Sequence, residues 1–395
     1  MKKILVLSFY YRPDLCAGSF RNSPLVDALR ERLPEGSNID VITTLPTRYA
    51  SYSADAPCYE VDGNVTIERI GLPSHKSGMV DQSRAFIMYA REAINLTHGK
   101  KYDLVYASSS RLMTAFLGAV IARRENALLY LDIRDIFVDT IKDVLSHKFV
   151  WALKPLFSAV EKWTVKRAQK VNLVSGGFRP YFESRFPGKG FSYFTNGIDQ
   201  EFIAAIPGTA VDTISDIPEV IYAGNLGEGQ GLHAIIPQLA KRSEGRLRFK
   251  LVGDGGRKSK LEAEILKQDV TNVELVAPMS RDELIEMYQQ ADILFLHLND
   301  YDAFLKVLPS KIFEYAAVGK PIWAGVSGFA AEFLNEHVSN TAVFHPCNVQ
   351  QAIDVFEQLE LTTQPRKAFV EMFSRESISQ SMAADILQTL ECKAP

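Results

Sequence analysis

Two doubly wound α/β domains in tandem are what this sequence predicts, on three observations. The chain has 395 residues, more than one ordinary hydrophobic core organises. Continuous apolar runs of strand length alternate with helix-length segments, the pattern of a parallel sheet covered on both faces. The alternation then breaks at a stretch containing Pro207, Gly208 and Pro218, and starts again beyond it.

In the first half, strands are expected at residues 3–8, 40–45, 66–70, 104–108, 128–133, 171–174 and 192–194, with helices at 21–33, 84–96 and 111–124 between them. The weakly periodic stretch 202–218 reads as a linker. Strands resume at 220–223, 249–252, 273–276, 293–298 and 321–324. The expected domains are therefore 1–200 and 201–375. By fold analogy, a last helix within about 376–395 packs back on the first domain. Ligands of open parallel sheets bind beyond the carboxyl ends of the strands, so two such domains facing a cleft can divide the work. One would hold a nucleotide and the other the molecule that receives a transferred group.

Composition narrows the function. Hydrophobic residues make up 47% and charged residues 23%, as in soluble globular proteins. The net charge of −3 excludes a protein that coats nucleic acid. Cys16, Cys58, Cys347 and Cys392 lack zinc-site spacing and fit a reducing compartment. The apolar run at residues 4–8 is too short for a signal core, and the longest, at 112–122, falls far short of the roughly 20 residues that span a bilayer. A cytoplasmic location follows as the expectation. Charge is nevertheless uneven: from Lys142 to Lys189 there are ten Lys or Arg against three Asp or Glu. Phe149, Trp151, Leu153, Leu156, Phe157, Val160 and Trp163 share that region at helical spacing. Such a helix suits an anionic membrane surface, and equally a domain core with solvated lysines.

Three elements of the second half carry chemistry. The first is the strand 220–223 running into Gly224-Asn225-Leu226-Gly227-Glu228-Gly229-Gln230-Gly231, a turn that lets backbone amides approach a phosphate or that serves packing alone. The second is Gly253-Asp254-Gly255-Gly256, which is neither a Walker A loop nor a complete dinucleotide fingerprint. The third is Pro309-Ser310-Lys311-Ile312-Phe313-Glu314, ending at Gly319 and Pro321: a short helix with start and stop signals. Its free amides, dipole and Lys311 suit a diphosphate, and Glu314 suits a ribose diol. The same two residues could instead form an exposed i,i+3 pair.

In this order the three elements resemble the nucleotide-binding half of glycosyltransferase family 4, and the phrase from Pro309 to Pro321 resembles bacterial transferases of the L-fucosamine type, which act in O-antigen and capsule assembly. Val276-Ala277-Pro278-Met279, Asn196-Gly197-Ile198-Asp199, Tyr10-Tyr11-Arg12-Pro13-Asp14 with Gly18, and Leu131-Asp132-Ile133-Arg134-Asp135 extend the resemblance over nearly the whole chain. The resemblance implies the GT-B fold, two Rossmann-like domains facing a cleft, and a retaining transfer from a nucleotide-sugar. It implies Glu314 on the ribose, the amides of Ser310 and Lys311 on the diphosphate, and Val276 and Pro278 beside the base. Gly253 and the glycine loop would line the donor site, and Gly18 would admit the first-domain loop. Tyr11, Arg12 and Arg134 would face the acceptor.

The sequence departs from the family where Lys306 stands eight residues before Glu314, in place of the first glutamate of an E-x7-E motif. It departs again where Asn225 and Gln230 replace paired cations. Phosphate neutralisation then falls to Lys306, Lys311 or Arg134. A metal-independent site with no cofactor is expected, since GT-B enzymes stabilise the leaving diphosphate with helix dipoles and lysines; Asn299-Asp300-Tyr301-Asp302 only approaches a DxD pair. Asp132 or Asp135 is the candidate side-chain base at the end of a central strand, although Asp135 equally suits a salt bridge to Arg134 or a helix cap. The donor is expected to be UDP-linked and the acceptor a polyprenyl-diphosphate-linked sugar, reached from the inner face of the plasma membrane. A UDP-sugar 2-epimerase of the same fold and a non-catalytic glycan-assembly partner are the alternatives. The seven histidines form no epimerase-like group in sequence, while Lys306 is the feature that favours the second.

Overall fold

The computed structural model describes all residues except 15, 47–55, 73–78, 110–111, 137, 139–146, 207, 210, 213–215 and 392–395, and the backbone alone of 79–82, 147–153 and 211–212. The chain divides into two compact units, Met1–Asn196 with Arg375–Pro395, and Gly197–Ser374.

The first unit is built on an eight-stranded sheet. Its strands are β1 (Lys3–Leu7), β2 (Asn38–Thr44), β3 (Tyr59–Asp62), β4 (Val65–Ile70), β5 (Leu104–Ser109), β6 (Leu128–Ile133), β7 (Lys170–Leu173) and β8 (Phe191–Ser192), in the order β3-β4-β2-β1-β5-β6-β7-β8. All neighbours are parallel except β3, which pairs antiparallel with β4. The central strands are apolar throughout because both faces are covered: Ile4, Leu5, Val6 and Leu7 are completely buried. Strand β3 escaped the sequence reading because Tyr-Glu-Val-Asp at a sheet edge is mostly exposed and shows no continuous apolar run.

Helices α1 (Ala17–Arg32), α2 (Met79–Leu96), α3 (Leu112–Arg124) and α4 (His147–Arg167) connect these strands. Helix α1 starts four residues before its predicted position. Its first turns bury Gly18, Ser19, Arg21, Asn22 and Ser23, polar or small residues invisible to hydrophobic periodicity. The C-terminal helix (Arg375–Glu391) packs on α1 and β6, placing Met382, Ala383, Ile386 and Leu390 in the core with Leu25, Leu29 and Tyr130. Its Asp385 accepts hydrogen bonds from Tyr130 (2.7 Å) and Ser192 (3.0 Å) and pairs with Lys170 at 3.1 Å.

The second unit begins with a two-residue strand, β9 (Val211–Asp212), paired antiparallel with β16 (Thr362–Thr363). Its main sheet is β10 (Glu219–Ala223), β11 (Arg248–Val252), β12 (Val273–Val276), β13 (Ile293–His297), β14 (Ile322–Gly325) and β15 (Thr341–Phe344). All are parallel, in the order β12-β11-β10-β13-β14-β15. Counting from β10, that is the Rossmann arrangement, with its switch point between β10 and β13. The start of the predicted linker belongs to this unit's core, since Phe202 is buried against Tyr288 with ring centroids 6.3 Å apart. Helices α5 (Leu232–Arg242), α6 (Lys258–Lys267), α7 (Arg281–Gln290) and α8 (Lys311–Val318) each follow the carboxyl end of a strand.

Candidate functional site

The candidate site lies at the switch point of the second unit, where the glycine loop after β10 meets the start of α8. Two glycines make the loop geometry possible. Gly224 and Gly253 have φ of 145° and 144°, and a Cβ on Gly253 would overlap the Gly224 carbonyl oxygen. The loops after β10 and β11 can therefore stack, joined by the Gly224 N–H to the Val252 carbonyl (2.8 Å) and the Leu226 N–H to the Asp254 carbonyl (2.9 Å).

Lys311 occupies the space that the missing side chain of Gly224 leaves. Its Nζ lies 5.7 Å from the Tyr222 ring centroid, and a Cβ on Gly224 would overlap Nζ. Among the described residues, this half-buried ammonium makes no hydrogen bond and no ion pair. Burial pushes its pKa down, against the upward pull of Glu314 one turn along the helix. A buried cation without a hydrogen-bond acceptor is costly in a resting protein and useful to an incoming anion.

Ser310 precedes α8 in helical conformation (φ −61°, ψ −27°) and its side chain caps nothing, so its sequence-predicted start signal acts through the backbone. Gly319 ends the helix in the left-handed region at φ 83°. Glu314 and Lys306 are both half-buried and both engaged, with Lys306 closing the 3-10 turn Asp302–Lys306. Asn225 donates to Gln230 Oε1 at 2.9 Å. The two side chains thus satisfy each other as a neutral pair above Gly227. The Val276 carbonyl accepts from Gly253 N–H at 3.0 Å, and Pro278 is exposed in the following loop. Ser280 and Glu283 then form a capping box that starts α7.

Sequence reasoning missed several residues here. Glu228 pairs with Arg257 and accepts from Tyr301 (2.6 Å), bonds that hold its carboxyl below the usual range. His297 Nδ1 lies 2.6 Å from the Gln230 carbonyl, and Asn299 donates to Glu228 O at 2.9 Å. The stretch read as an imperfect metal pair therefore anchors the glycine loop. No local signal marks these residues, because their partners lie 29 to 73 positions away.

In the first unit, the structure corrects three assignments. Asp132 is completely buried and accepts from Arg21 Nε (2.7 Å) and Nη2 (2.8 Å), Asn172 (2.8 Å) and Tyr106 (3.0 Å). Burial alone would push its carboxyl up, but Arg21 outweighs it and holds the group below the ordinary carboxylate range. With its lone pairs engaged and no exposure, Asp132 is the counter-ion of Arg21 and not an accessible base. Arg12 is clamped bidentately by Asp27 at 2.9 and 3.0 Å, so it braces α1 and does not reach for an acceptor. Tyr11 is 1% exposed and belongs to the sheet core.

Gly18 and Arg134 do come together. A Cβ on Gly18 would lie 3.2 Å from Arg134 Nη1, at the first turn of α1. Among the described residues, the half-buried Arg134 side chain makes no hydrogen bond, and burial with the neighbouring Arg21 pushes its pKa down. Asp135, two residues beyond β6, is half-buried and engaged.

Fold and site together define a protein of two Rossmann-like units whose second unit presents, at its switch point, stacked glycine loops and a lysine with no hydrogen bond or ion pair among the described residues. Residues 212–372 match the family model described as "Glycosyl transferases group 1". WcaI of Escherichia coli (strain K12), assigned by its name to colanic acid biosynthesis as a glycosyl transferase, is 32% identical over 108 residues. That stretch spans 26% of this chain and 26% of WcaI, so the match covers about a quarter of that relative's length. HepE of Anabaena, solved with UDP and glucose, superposes with a TM-score of 0.65 at 15% identity, covering 98% of this chain and 100% of HepE. WaaG, a glycosyltransferase involved in lipopolysaccharide biosynthesis, superposes with a TM-score of 0.61 at 13% identity, covering 96% and 95%. The fold is that of the GT-B glycosyltransferases. The stretch that matches the group 1 glycosyl transferase model lies within the second unit.

Proposed function

We propose that the chain is a retaining glycosyltransferase that moves a sugar from a UDP-linked donor to a polyprenyl-diphosphate-linked acceptor in bacterial cell-surface polysaccharide assembly. The observation that carries this is Lys311, a half-buried ammonium with no hydrogen-bond partner among the described residues, held over Gly224 at a Rossmann switch point. That is where an open α/β sheet binds a nucleotide, and a diphosphate supplies the acceptors the lysine lacks. The UDP held by HepE supports uracil as the base.

In this reading the bond from the anomeric carbon to the diphosphate breaks as the acceptor oxygen bonds to the same face of the sugar. Lys311 and the α8 amides stabilise the charge that grows on the leaving diphosphate, with no metal or cofactor required. The acceptor proton passes to a diphosphate oxygen. Calorimetric titration with UDP and GDP in chelating buffer tests the proposal. Binding of UDP in preference to GDP is expected, and binding of neither would turn the reading toward a non-catalytic glycan-assembly partner. If Glu314 holds the ribose hydroxyls as this reading has it, Glu314→Ala should raise the UDP dissociation constant about tenfold, as loss of a charged hydrogen-bond acceptor does. Unchanged affinity would remove Glu314 from the site.

A membrane-facing first unit completes the proposal. Among the described residues no helix is long and apolar enough to cross a membrane. Helices α2, α3 and α4 contact one another in sequence. On α2, Ile87 and Met88 are 67% and 40% exposed between exposed Arg84 and Arg91. On α4, Leu156 is 58% exposed, and Lys162, Lys166 and Arg167 are exposed. Trp163 instead packs on Phe116, with centroids 5.4 Å apart, while the side chains of Phe149, Trp151 and Leu153 lie outside the described residues. Exposed apolar groups beside cations suit an anionic leaflet. Leu156→Ser with Lys162→Glu should release the protein from vesicles containing anionic lipid; undiminished sedimentation would refute the contact.

A further inference from the structure

The carboxyl end of β13 carries a buried histidine whose two ring nitrogens are both committed. His297 is 1% exposed. Its Nδ1 lies 2.6 Å from the Gln230 carbonyl oxygen, and its Nε2 lies 3.0 Å from the Cys347 backbone nitrogen. A peptide N–H can only donate and a peptide carbonyl can only accept. The ring must therefore be neutral, with its proton on Nδ1 and its lone pair on Nε2. The surroundings leave it no other pose. The ring stacks on Phe295 at 6.1 Å with 3° between planes, Phe344 lies 6.1 Å away on a tilt, and a Cβ on Gly325 would overlap the imidazole. Burial pushes its pKa down to about 4, which agrees with a ring neutral at physiological pH.

What this ring holds is the glycine loop. Gln230 closes the 3-10 turn Glu228–Gln230, and Gly231 follows in left-handed conformation at φ 60°. Two residues past His297, Asn299 takes the other carbonyls of the same turn, its backbone N–H on Gly229 O (2.8 Å) and its side-chain amide on Glu228 O (2.9 Å). Three successive carbonyls are thus tied back to the end of β13. Four glycines at 224, 227, 229 and 231 would otherwise leave this loop a wide choice of backbone states, each lowering the fraction competent to bind an anion.

We propose that His297 is a positioning residue for the donor diphosphate. Locked as the Nδ1–H tautomer between Gln230 and Cys347, it holds the glycine loop in the single conformation that binds. The proposal rests on the nucleotide-sugar reading for its ligand but not for the clamp itself, and two measurements separate them. In the free protein, hydrogen exchange of the amides from 225 to 231 should accelerate in His297→Ala while other amides of the second unit keep their protection. Unchanged exchange in the loop would overturn the clamp whatever the nucleotide does. Long-range nitrogen–proton correlation spectra of the wild type should show the proton on Nδ1, and a proton on Nε2 would equally overturn it. In titrations with UDP, His297→Ala should bind about tenfold more weakly, with transfer slowed through KM more than through kcat. His297→Asn keeps a short amide donor toward Gln230, and should recover most of the affinity and guard against a folding defect in the alanine variant. If the wild type binds UDP and His297→Ala binds it equally well, the positioning role fails and the nucleotide reading stands. If the wild type binds no UDP while loop exchange still accelerates, the nucleotide reading fails and the clamp stands.

Discussion

Lys311→Ala is expected to weaken UDP binding by about ten- to a hundredfold while leaving uridine binding, which lacks the diphosphate, unchanged. The size follows from one hydrogen bond to a charged group, about 1.5–3 kcal/mol, at roughly 1.4 kcal/mol per factor of ten. The free protein should not lose stability in exchange. Burial already pushes the Lys311 pKa down, so the folded state works against the charge that the ligand needs. Removing the ammonium removes that cost, and the melting temperature should hold or rise, as when a group kept for function is deleted. Titration calorimetry with the two ligands, paired with a thermal melt, decides the matter. Equal UDP affinity in the variant would mean that the lysine over Gly224 serves packing alone.

Asp132→Ala should be the most damaging single change in the first unit. It strands Arg21, 4% exposed, whose remaining partners are the carbonyls of Phe194 and Thr195, each at 2.8 Å, and Met382 Sδ at 3.7 Å. Breaking one partner out of a buried ion pair costs about 3–5 kcal/mol, a large fraction of the total stability of an ordinary domain. Replacing both partners by apolar residues, Arg21→Met with Asp132→Leu, should recover much of the loss in urea titrations. A single variant as stable as the wild type would show that Arg21 finds another counter-ion. The pH dependence has a definite sign. The Asp132 pKa is depressed in the fold, so the pair stabilises fully above the pKa of an unfolded aspartate, and the contribution fades as the pH falls through the native value. Arg21 also holds the carbonyls of Phe194 and Thr195, so the break would spread from β6 to the segment after β8.

Legibility differed sharply between backbone pattern and side-chain role. The central strands were readable because a parallel strand covered on both faces is apolar at every position, as in Ile4-Leu5-Val6-Leu7 or Ile293-Leu294-Phe295-Leu296. Strands β3 and β15 were not, because Tyr-Glu-Val-Asp and Thr-Ala-Val-Phe are four-residue edge segments with polar or half-buried positions. The glycines at 224 and 253 stood out in sequence, and each has the positive φ that singles glycine out. Lys311 stood out as well, through the proline, serine and glycine that bound its helix. The carboxylates were harder. Asp132 and Asp135 sit three positions apart with equal claims as bases, and only the hydrogen bonds from Arg21, Asn172 and Tyr106 make one of them a counter-ion.

By itself the sequence determined two doubly wound sheets, the glycine loops and the short lysine-bearing helix, because periodicity, turn chemistry and capping act between residues a few positions apart. Only the tertiary structure decided which polar groups are spent on holding the fold and which are left for a ligand. Arg12, Asp132 and His297 are committed to partners 15, 111 and 67 residues away, whereas the side chains of Lys311 and Arg134 make no hydrogen bond among the described residues. The physical reason is that a side chain's chemistry depends on its desolvation and its partners. Both are set when distant segments pack, and neither is encoded in local spacing.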